Sequence, residues 1–232
     1  MKISDFKPND KWNFRVDGLQ ILDASGGTAV FEYDEEEYDA IFTYVTKENM
    51  KACPADGWYH QEALEDGEWI SIDDAGFDDI SYGFGWVYET SSNEAGLIYS
   101  GQVAEGPQTI VAANSGWNVI GNPTPVFADY KDITVNSDWN FRVDGLQILD
   151  ASGGTATFEY DEEEYDAIFT YVTKENMKAC PADGWYHQEA LEDGEWISID
   201  EAGWSGLEAG EAVVFETSKN TAGIQFPGAI DK

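Results

Sequence analysis

The sequence is poor in basic residues: 12 Lys and Arg stand against 46 Asp and Glu, which gives a formal net charge of -34 over 232 residues. Nucleic-acid binding depends on Lys and Arg that neutralise phosphates, so nucleic acid is not expected as a partner. Anionic membrane surfaces are disfavoured by the same sign of charge. A negative field of this size attracts cations, Ca²⁺ among them, and basic surfaces. Solubility or a salty habitat explains the charge equally well.

Cysteine and histidine are scarce as well. Cys53 and Cys180 are one position met twice, in KACPADGWY, and disulfide-stapled secreted domains carry many more cysteines. We expect free, half-buried thiols, with a bridge between the repeats or between two chains as the alternative. One histidine per repeat, His60 or His187, leaves a zinc site two ligands short and gives a Cys–His pair no third group to orient the ring.

Long apolar runs are also missing. No segment approaches the roughly 18 consecutive apolar residues of a membrane span, so membrane insertion is not expected. The opening MKISDFKPND lacks the apolar core of about 7 to 15 residues that defines a signal peptide. Either the protein acts where it is made, or an upstream part has been removed.

Catalytic motifs are absent from the sequence. ASGGT and NSGWN do not form the G-x-S-x-G nucleophile elbow. A glycosidase needs two carboxylates in different environments, and among 46 acidic residues no pair stands out. We therefore predict that the protein is not an enzyme and needs no cofactor, with Ca²⁺ left open.

Aromatic and apolar residues are plentiful: 42% of the residues are hydrophobic and 14% are aromatic, with nine Trp. This is enough material for packed cores despite the charge, so we expect a folded protein. Short β-prone runs lie between Asp-Gly, Gly-Gly and Asn-Pro turn signals. The runs are LQILDA, TAVFEY, AIFTYV, EWISI, GWVYET and GLIYSG. EEEYDA and TKENMKA are the segments that suit brief helical turns. The sequence predicts an all-β protein of two tandem β-sandwich or small-barrel domains, residues 1–104 and 105–232.

An internal repeat organises the chain. With an offset of 127, residues 12–73 match residues 139–200 at 61 of 62 positions, and the exception is Val30 against Thr157. Beyond this block the copies diverge but align without gaps. Recent copying explains the identity, and so does a requirement that both copies present the same surface to the same partner.

The two copies differ in what precedes them. Residues 107–126, before the second copy, contain two predicted strands, 109–113 and 117–121, ahead of a third at 131–135. The first copy begins at residues 2–8, the counterpart of the third strand. It would therefore lack the two opening strands, and its open edge could pair with another chain. We expect residues 109–122 to complete that fold, within the chain or from a neighbour. The candidate residues are Thr109, Val111, Trp117, Val119 and Ile120.

An acidic run, DEEEYD, occurs in both copies. Closely spaced carboxylates suit Ca²⁺, which takes six to eight oxygen ligands, although the run lacks the spacing of an EF-hand loop. A solvated turn between two strands is the alternative. The candidate metal ligands are Asp34, Glu35, Glu36, Asp39, Asp161, Glu162, Glu163 and Asp166.

An aromatic set recurs in GWYHQEALEDGEW. Flat aromatic rings flanked by acids and amides suit sugar rings and protein interfaces, and they suit a packed core as well. The candidates are Trp58, Tyr59, Trp69, Trp185, Tyr186 and Trp196. A pair of carbohydrate-binding modules that use exposed Trp and Tyr is therefore an alternative function.

A resemblance extends in outline over residues 108–230. It runs through GWNVIGNPTP, D-I-T-V, a G-W-Y centre, LEAGEAVVFETS and TAGIQFPGAI. This order resembles tandem β-rich repeat modules of secreted or surface-displayed bacterial proteins. It implies a non-enzymatic, self-associating or anchoring role, at the cell surface or outside the cell, or in a virion or appendage. We predict a structural or interaction protein that assembles by strand complementation, into a filament or surface layer, or adheres to a glycan or protein partner.

Overall fold

The chain folds into two compact units of short strands. The computed structural model describes residues 2–9, 16–91, 94, 96–98, 102–103, 105–136 and 143–228, without the side chains of 16–18 and 143–144. Unit 1 comprises Met1–Asp23, Gly27–Tyr82 and Trp86–Gln102, and unit 2 comprises Ala24–Gly26, Gly83–Gly85 and Val103–Lys232. Nearly all regular structure is β, in several sheets, which confirms the all-β fold class.

Unit 1 has a β-sandwich-like architecture. Its strands are β1 (Lys7–Pro8), β2 (Val16–Gln20), β3 (Val30–Tyr33), β4 (Glu36–Asp39), β5 (Ile41–Val45), β6 (Gly57–His60), β7 (Val87–Thr90) and β8 (Leu97–Ile98). One short helix, α1 (Gln61–Glu65), follows β6. The largest sheet has the order β6-β5-β2-β7, β1 pairs with β8, and β3 pairs with β4.

Unit 2 has the same kind of architecture with more strands. They are β9 (Gln108–Val111), β10 (Gly116–Gly121), β11 (Ala128–Asp129), β12 (Thr134–Val135), β13 (Val143–Gln147), β14 (Thr157–Tyr160), β15 (Glu163–Asp166), β16 (Ile168–Val172), β17 (Gly184–His187), β18 (Gly206–Leu207), β19 (Ala212–Thr217) and β20 (Gly223–Phe226), with helix α2 (Gln188–Glu192). Its sheets have the orders β10-β19-β13-β16-β17, β12-β20-β9, β14-β15 and β11-β18.

The acidic run forms a hairpin, so the predicted helical turn at EEEYDA is wrong. Asp34 and Glu35 both have positive φ, 49° and 71°, as in the two-residue turns that join hairpin strands. Glu36–Asp39 then pairs with β3, and the Tyr38 ring stacks on Phe31 with their centroids 5.5 Å apart. This cross-strand aromatic pair fixes the register of the hairpin.

Two other local predictions differ from the structure. EWISI contributes an isolated bridge between Tyr59 and Ser71 rather than a strand. QEALE forms helix α1, which the sequence did not predict. The helix begins after His60 because the imidazole Nδ1 of His60 accepts a hydrogen bond from the backbone N–H of Ala63, at 3.2 Å. Of the predicted strand GLIYSG, residues 99–101 lie outside the described part of the chain.

Each unit has its own core, made largely of corresponding residues. In unit 1 the core includes Leu19, Phe31, Phe42, Trp58 and Ile70. In unit 2 it includes Leu146, Phe158, Phe169, Trp185 and Ile197 at the corresponding positions, together with residues of β9, β10 and β20. The unit 2 core therefore extends over a region for which unit 1 shows no matching cluster among the described residues.

Candidate functional site

A shared frame supports the same side of both units. In unit 1 the indole Nε1–H of Trp58 donates to the backbone carbonyl of Phe6, at 2.9 Å. In unit 2 the indole of Trp185 donates to the carbonyl of Ile133, also at 2.9 Å. Because these bonds tie the chain just before β1 and just before β12 to the central strands, β1 and β12 occupy equivalent places.

The larger sheets differ by one strand at one edge. In unit 2, β10 pairs with β19 along six residue pairs, from Gly116 opposite Thr217 to Gly121 opposite Ala212. The counterpart of β19 in unit 1 is β7, which is the last strand of its sheet. The described residues of unit 1 contain no counterpart of β10.

The smaller sheets differ in the same way. In unit 2, β20 lies between β12 and β9, with Ile224 opposite Ile110. In unit 1, the counterpart of β20 is β8, which pairs with β1 and ends that sheet. One arch, β9 and β10 with the turn between them, therefore completes both sheets of unit 2 on one side.

Burial along this side follows the difference in strands. Val213, Val214 and Phe215 in β19 have 5%, 1% and 0% of their surface exposed. Their counterparts 127 residues earlier are Trp86, Val87 and Tyr88, and all three are half-buried. Leu97 is likewise half-buried, whereas its counterpart Ile224 is buried. We call this row the unit 1 edge: Trp86, Val87, Tyr88, Leu97 and Ile98.

Asn118 holds the arch in shape. Its buried side chain accepts hydrogen bonds from the backbone N–H groups of Ala113 and Asn114, at 3.0 and 3.1 Å. It also donates to the carbonyls of Asn114 and Gly116, both at 3.1 Å. The sequence analysis did not single out Asn118, although an Asn next to a turn that contains Asn-Ser-Gly is a signal for such a clamp.

The outer edge of β10 is also covered within unit 2. The backbone N–H of Trp117 donates to the carbonyl of Ala24 at 2.9 Å, and the indole of Trp117 lies against Gly26. Gly85 donates to the carbonyl of Val119 at 3.1 Å. Positive φ at Gly26 and the close indole together require glycine there, because a Cβ would come within 2.6 Å of the ring.

The strand-complementation candidates all belong to unit 2. Thr109 and Val111 lie in β9, and Trp117, Val119 and Ile120 lie in β10, as the predicted strands 109–113 and 117–121 require. These strands pair with β20 and β19 of unit 2. The expectation that they complete the sheets of copy one from within this chain is therefore wrong, since β7 and β8 end their sheets.

The expectation that the aromatic set is exposed is wrong for four of its six members. Trp58, Tyr59, Trp185 and Tyr186 are buried. Trp69 and Trp196 are half-buried, because each packs edge-on against a buried tyrosine with centroids 5.1 and 5.2 Å apart. The strands that carry these residues are covered on both faces, so the rings pack in the protein and form no flat surface for a sugar.

The acidic candidates do not converge. Among the described residues, no three His, Cys, Asp or Glu side chains are placed to hold a metal ion, so the proposed cluster of Asp34, Glu35, Glu36 and Asp39 is not formed, nor is its copy at Asp161, Glu162, Glu163 and Asp166. Alternation along a hairpin sends neighbouring side chains to opposite faces. Glu36 instead accepts a hydrogen bond from the Tyr38 hydroxyl at 2.8 Å, which raises the pKa of Tyr38 to about 12.

The Cys and His of each repeat lie in separate clusters. Cys53 and Cys180 are free thiols, each buried with a Val and a Tyr. His60 packs against Phe31 and Phe42, and its Nε2 lies 3.0 Å from the backbone carbonyl of Asp39. With Nδ1 accepting from α1, this ring is neutral and fully bonded, so it has no free nitrogen for catalysis. Burial lowers the pKa of His60 and of His187.

Comparison of the chain with protein-family models, curated proteins and solved structures finds no match. Within the described ranges, no helix is long and apolar enough to span a membrane.

Proposed function

We propose that this is a non-enzymatic structural or interaction protein that assembles by adding a β-strand at the unit 1 edge, first of all from a second copy. The observation that carries the proposal is the contrast between β19 and β7. Apolar positions that β9 and β10 cover in unit 2 are half-exposed at Trp86, Val87 and Tyr88 in unit 1. We place such an assembly at a cell surface or in an appendage on the strength of the sequence resemblance alone.

Strand addition suits this edge for two physical reasons. An incoming strand pairs with the backbone N–H and C=O groups along β7 or β8, and unsatisfied groups of this kind are costly to bury. It also removes apolar side chains from water, and complete burial of a Val side chain contributes about 1.5–3 kcal/mol. Two unit 1 edges that pair across a two-fold axis would gain both terms without any change in unit 2.

The carbohydrate-binding alternative has no structural observation in its favour. It depends on exposed rings at Trp58, Tyr59 and their copies, and these rings are buried. An assembling protein needs no such platform.

Sedimentation velocity from about 1 to 500 μM tests the proposal, because mass action makes a self-associating protein concentration-dependent. We expect Val87→Lys to weaken association about tenfold, since burial of the new charge opposes pairing. Ile98→Lys is a second variant on β8, where 62% of the side chain is exposed and folding is not threatened. Val30→Lys is the matched control, with 51% exposure on the β3–β4 hairpin. A strict monomer at every concentration would contradict the self-association.

A further inference from the structure

We propose that the best-fitting occupant of the unit 1 edge is an uncharged β-arch supplied by another polypeptide, with the pattern of residues 108–121. This inference rests on the proposed strand-accepting role and names the partner. When no arch is present, two unit 1 edges can pair with each other, and an arch competes with that pairing because it completes both sheets of unit 1 at once.

The composition of the arch gives the first reason. Residues 106–128 contain no Asp, Glu, Lys or Arg, in a chain in which 25% of the residues are charged. Glu89 on β7 is exposed and the whole chain carries a charge of -34. An acidic segment would be repelled at this edge, and a charged residue facing its apolar row would be buried without a partner. A neutral segment avoids both penalties.

The register in the larger sheet gives the second reason. In unit 2, Val119 of the arch lies opposite Val214. The counterpart of Val214 in unit 1 is Val87, so a valine of an incoming arch meets another valine. The next arch residue, Ile120, is fully buried in unit 2 and would meet Trp86 in unit 1. The apolar character of each pair is kept.

The smaller sheet repeats this match. Ile110 of the arch lies opposite Ile224, and both residues are buried. The counterpart of Ile224 is Leu97, which is half-buried in β8. The two strands of one arch therefore find an apolar position in each sheet, as they do in unit 2.

A separate polypeptide is the source, rather than the arch of a second copy. In every copy β9 and β10 are already paired with β20 and β19, and Asn118 clamps the turn between them. Donating that arch would open unit 2 of the donor while closing unit 1 of the acceptor. The exchange would break as many strand pairs as it forms, so it has no net driving force.

A synthetic peptide of residues 106–122 with a fluorescent label tests the inference against the full-length protein. We expect saturable binding of one peptide per chain, with a Kd of about 10 μM or tighter by fluorescence anisotropy. An Ile120→Asp peptide should bind at least about tenfold more weakly, because the carboxylate would enter the apolar row. This peptide variant leaves the folding of the protein untouched. On the protein side, Val87→Lys should weaken binding and Val30→Lys should not.

Hydrogen exchange locates the bound peptide. Protection should increase in β7 and β8 and stay unchanged in β19 and β20. Equal binding of the Ile120→Asp peptide, new protection in unit 2, or no saturable binding up to about 1 mM would each overturn the inference. A packed edge closed by Trp86, whose ring meets Phe6 edge-on at 4.8 Å, would give the last result.

The two proposals fail separately. Peptide binding to a protein that stays monomeric would support the arch and remove the self-association. Self-association without peptide binding would leave the proposed function standing and overturn the arch.

Discussion

The indole N–H of Trp58 donates a hydrogen bond to the backbone carbonyl of Phe6, 2.9 Å away and 52 residues earlier in the chain. The ring itself is buried against Tyr44 and Tyr88. This bond fixes the first residues of unit 1 to its central sheet, so the side of the unit that ends at β7 and β8 stays ordered without an arch.

Trp58→Phe should destabilise unit 1. The substitution removes the donor, leaves the Phe6 carbonyl buried without it, and opens a small cavity. Together these effects should lower the free energy of unfolding by about 2–3 kcal/mol. Urea denaturation followed by far-UV circular dichroism measures the change. Trp185→Phe is the matched variant in unit 2 and should cost a similar amount, because its bond to Ile133 has the same length. A change below about 0.5 kcal/mol at both sites would show that these bonds do not hold the frame.

Stability should fall as the pH drops below about 6.5. Burial lowers the pKa of His60 and His187 from the ordinary value of 6.5, so the unfolded chain takes up these protons more readily than the folded chain. The contribution is complete above the unfolded pKa and is lost on the way down to the folded pKa.

The double variant His60→Asn, His187→Asn isolates this term. Asn keeps a side-chain oxygen that can cap α1 and α2 but does not titrate. Between pH 7.5 and 5.5 the wild type should lose more stability in urea than the variant does. Parallel pH profiles would contradict the buried, neutral state of the two rings.

Asn122→Ala should destabilise unit 2 strongly. The buried amide donates to the carbonyls of Val126 and Leu207 at 2.7 and 3.1 Å, and its oxygen accepts from the Thr124 hydroxyl at 2.8 Å. Loss of these partners leaves several buried groups unsatisfied, at about 2–4 kcal/mol in all. Asn114→Ala, at an exposed turn residue, is the control and should change stability by less than about 0.5 kcal/mol. Equal effects in chemical denaturation would exclude Asn122 as the clamp of that corner.

The two cysteines should resist modification in the folded protein. Cys53 and Cys180 are buried and free, and burial raises the pKa of the Cys180 thiol. Because the thiolate is the reactive form and reagents must reach it, labelling by a maleimide should be roughly 100-fold slower than in denaturant. Intact-mass spectrometry over time counts the labelled thiols. Rapid labelling under native conditions would mean that the small clusters around these residues open easily.

Local pattern was enough to predict the all-β class and the strands that became β9 and β10, because alternation and turn residues act over a few positions. It was not enough for α1, which is only five residues long and begins at the His60 imidazole rather than at a common cap residue. The acidic run also misled, since stacking of Tyr38 on Phe31 outweighs the poor strand propensity of Glu and Asp.

Exposure of the aromatic set could not be predicted for a different reason. Alternation says which side chains of a strand share a face, but not whether another layer covers that face. Trp58 and Tyr59 lie on opposite faces of β6, and both faces are covered. The missing strands, by contrast, were visible in the sequence, because the repeat supplied a complete copy for comparison.

Hydrogen exchange of the monomeric protein, followed by mass spectrometry with peptides that separate β7 from β19, tests most directly whether unit 1 is the same frame one arch short. The account predicts that amides of β7 exchange at least about tenfold faster than those of β19, a difference of about 1.4 kcal/mol in local stability. Equal protection of the two strands would show that the unit 1 edge is already closed, and would contradict the central claim.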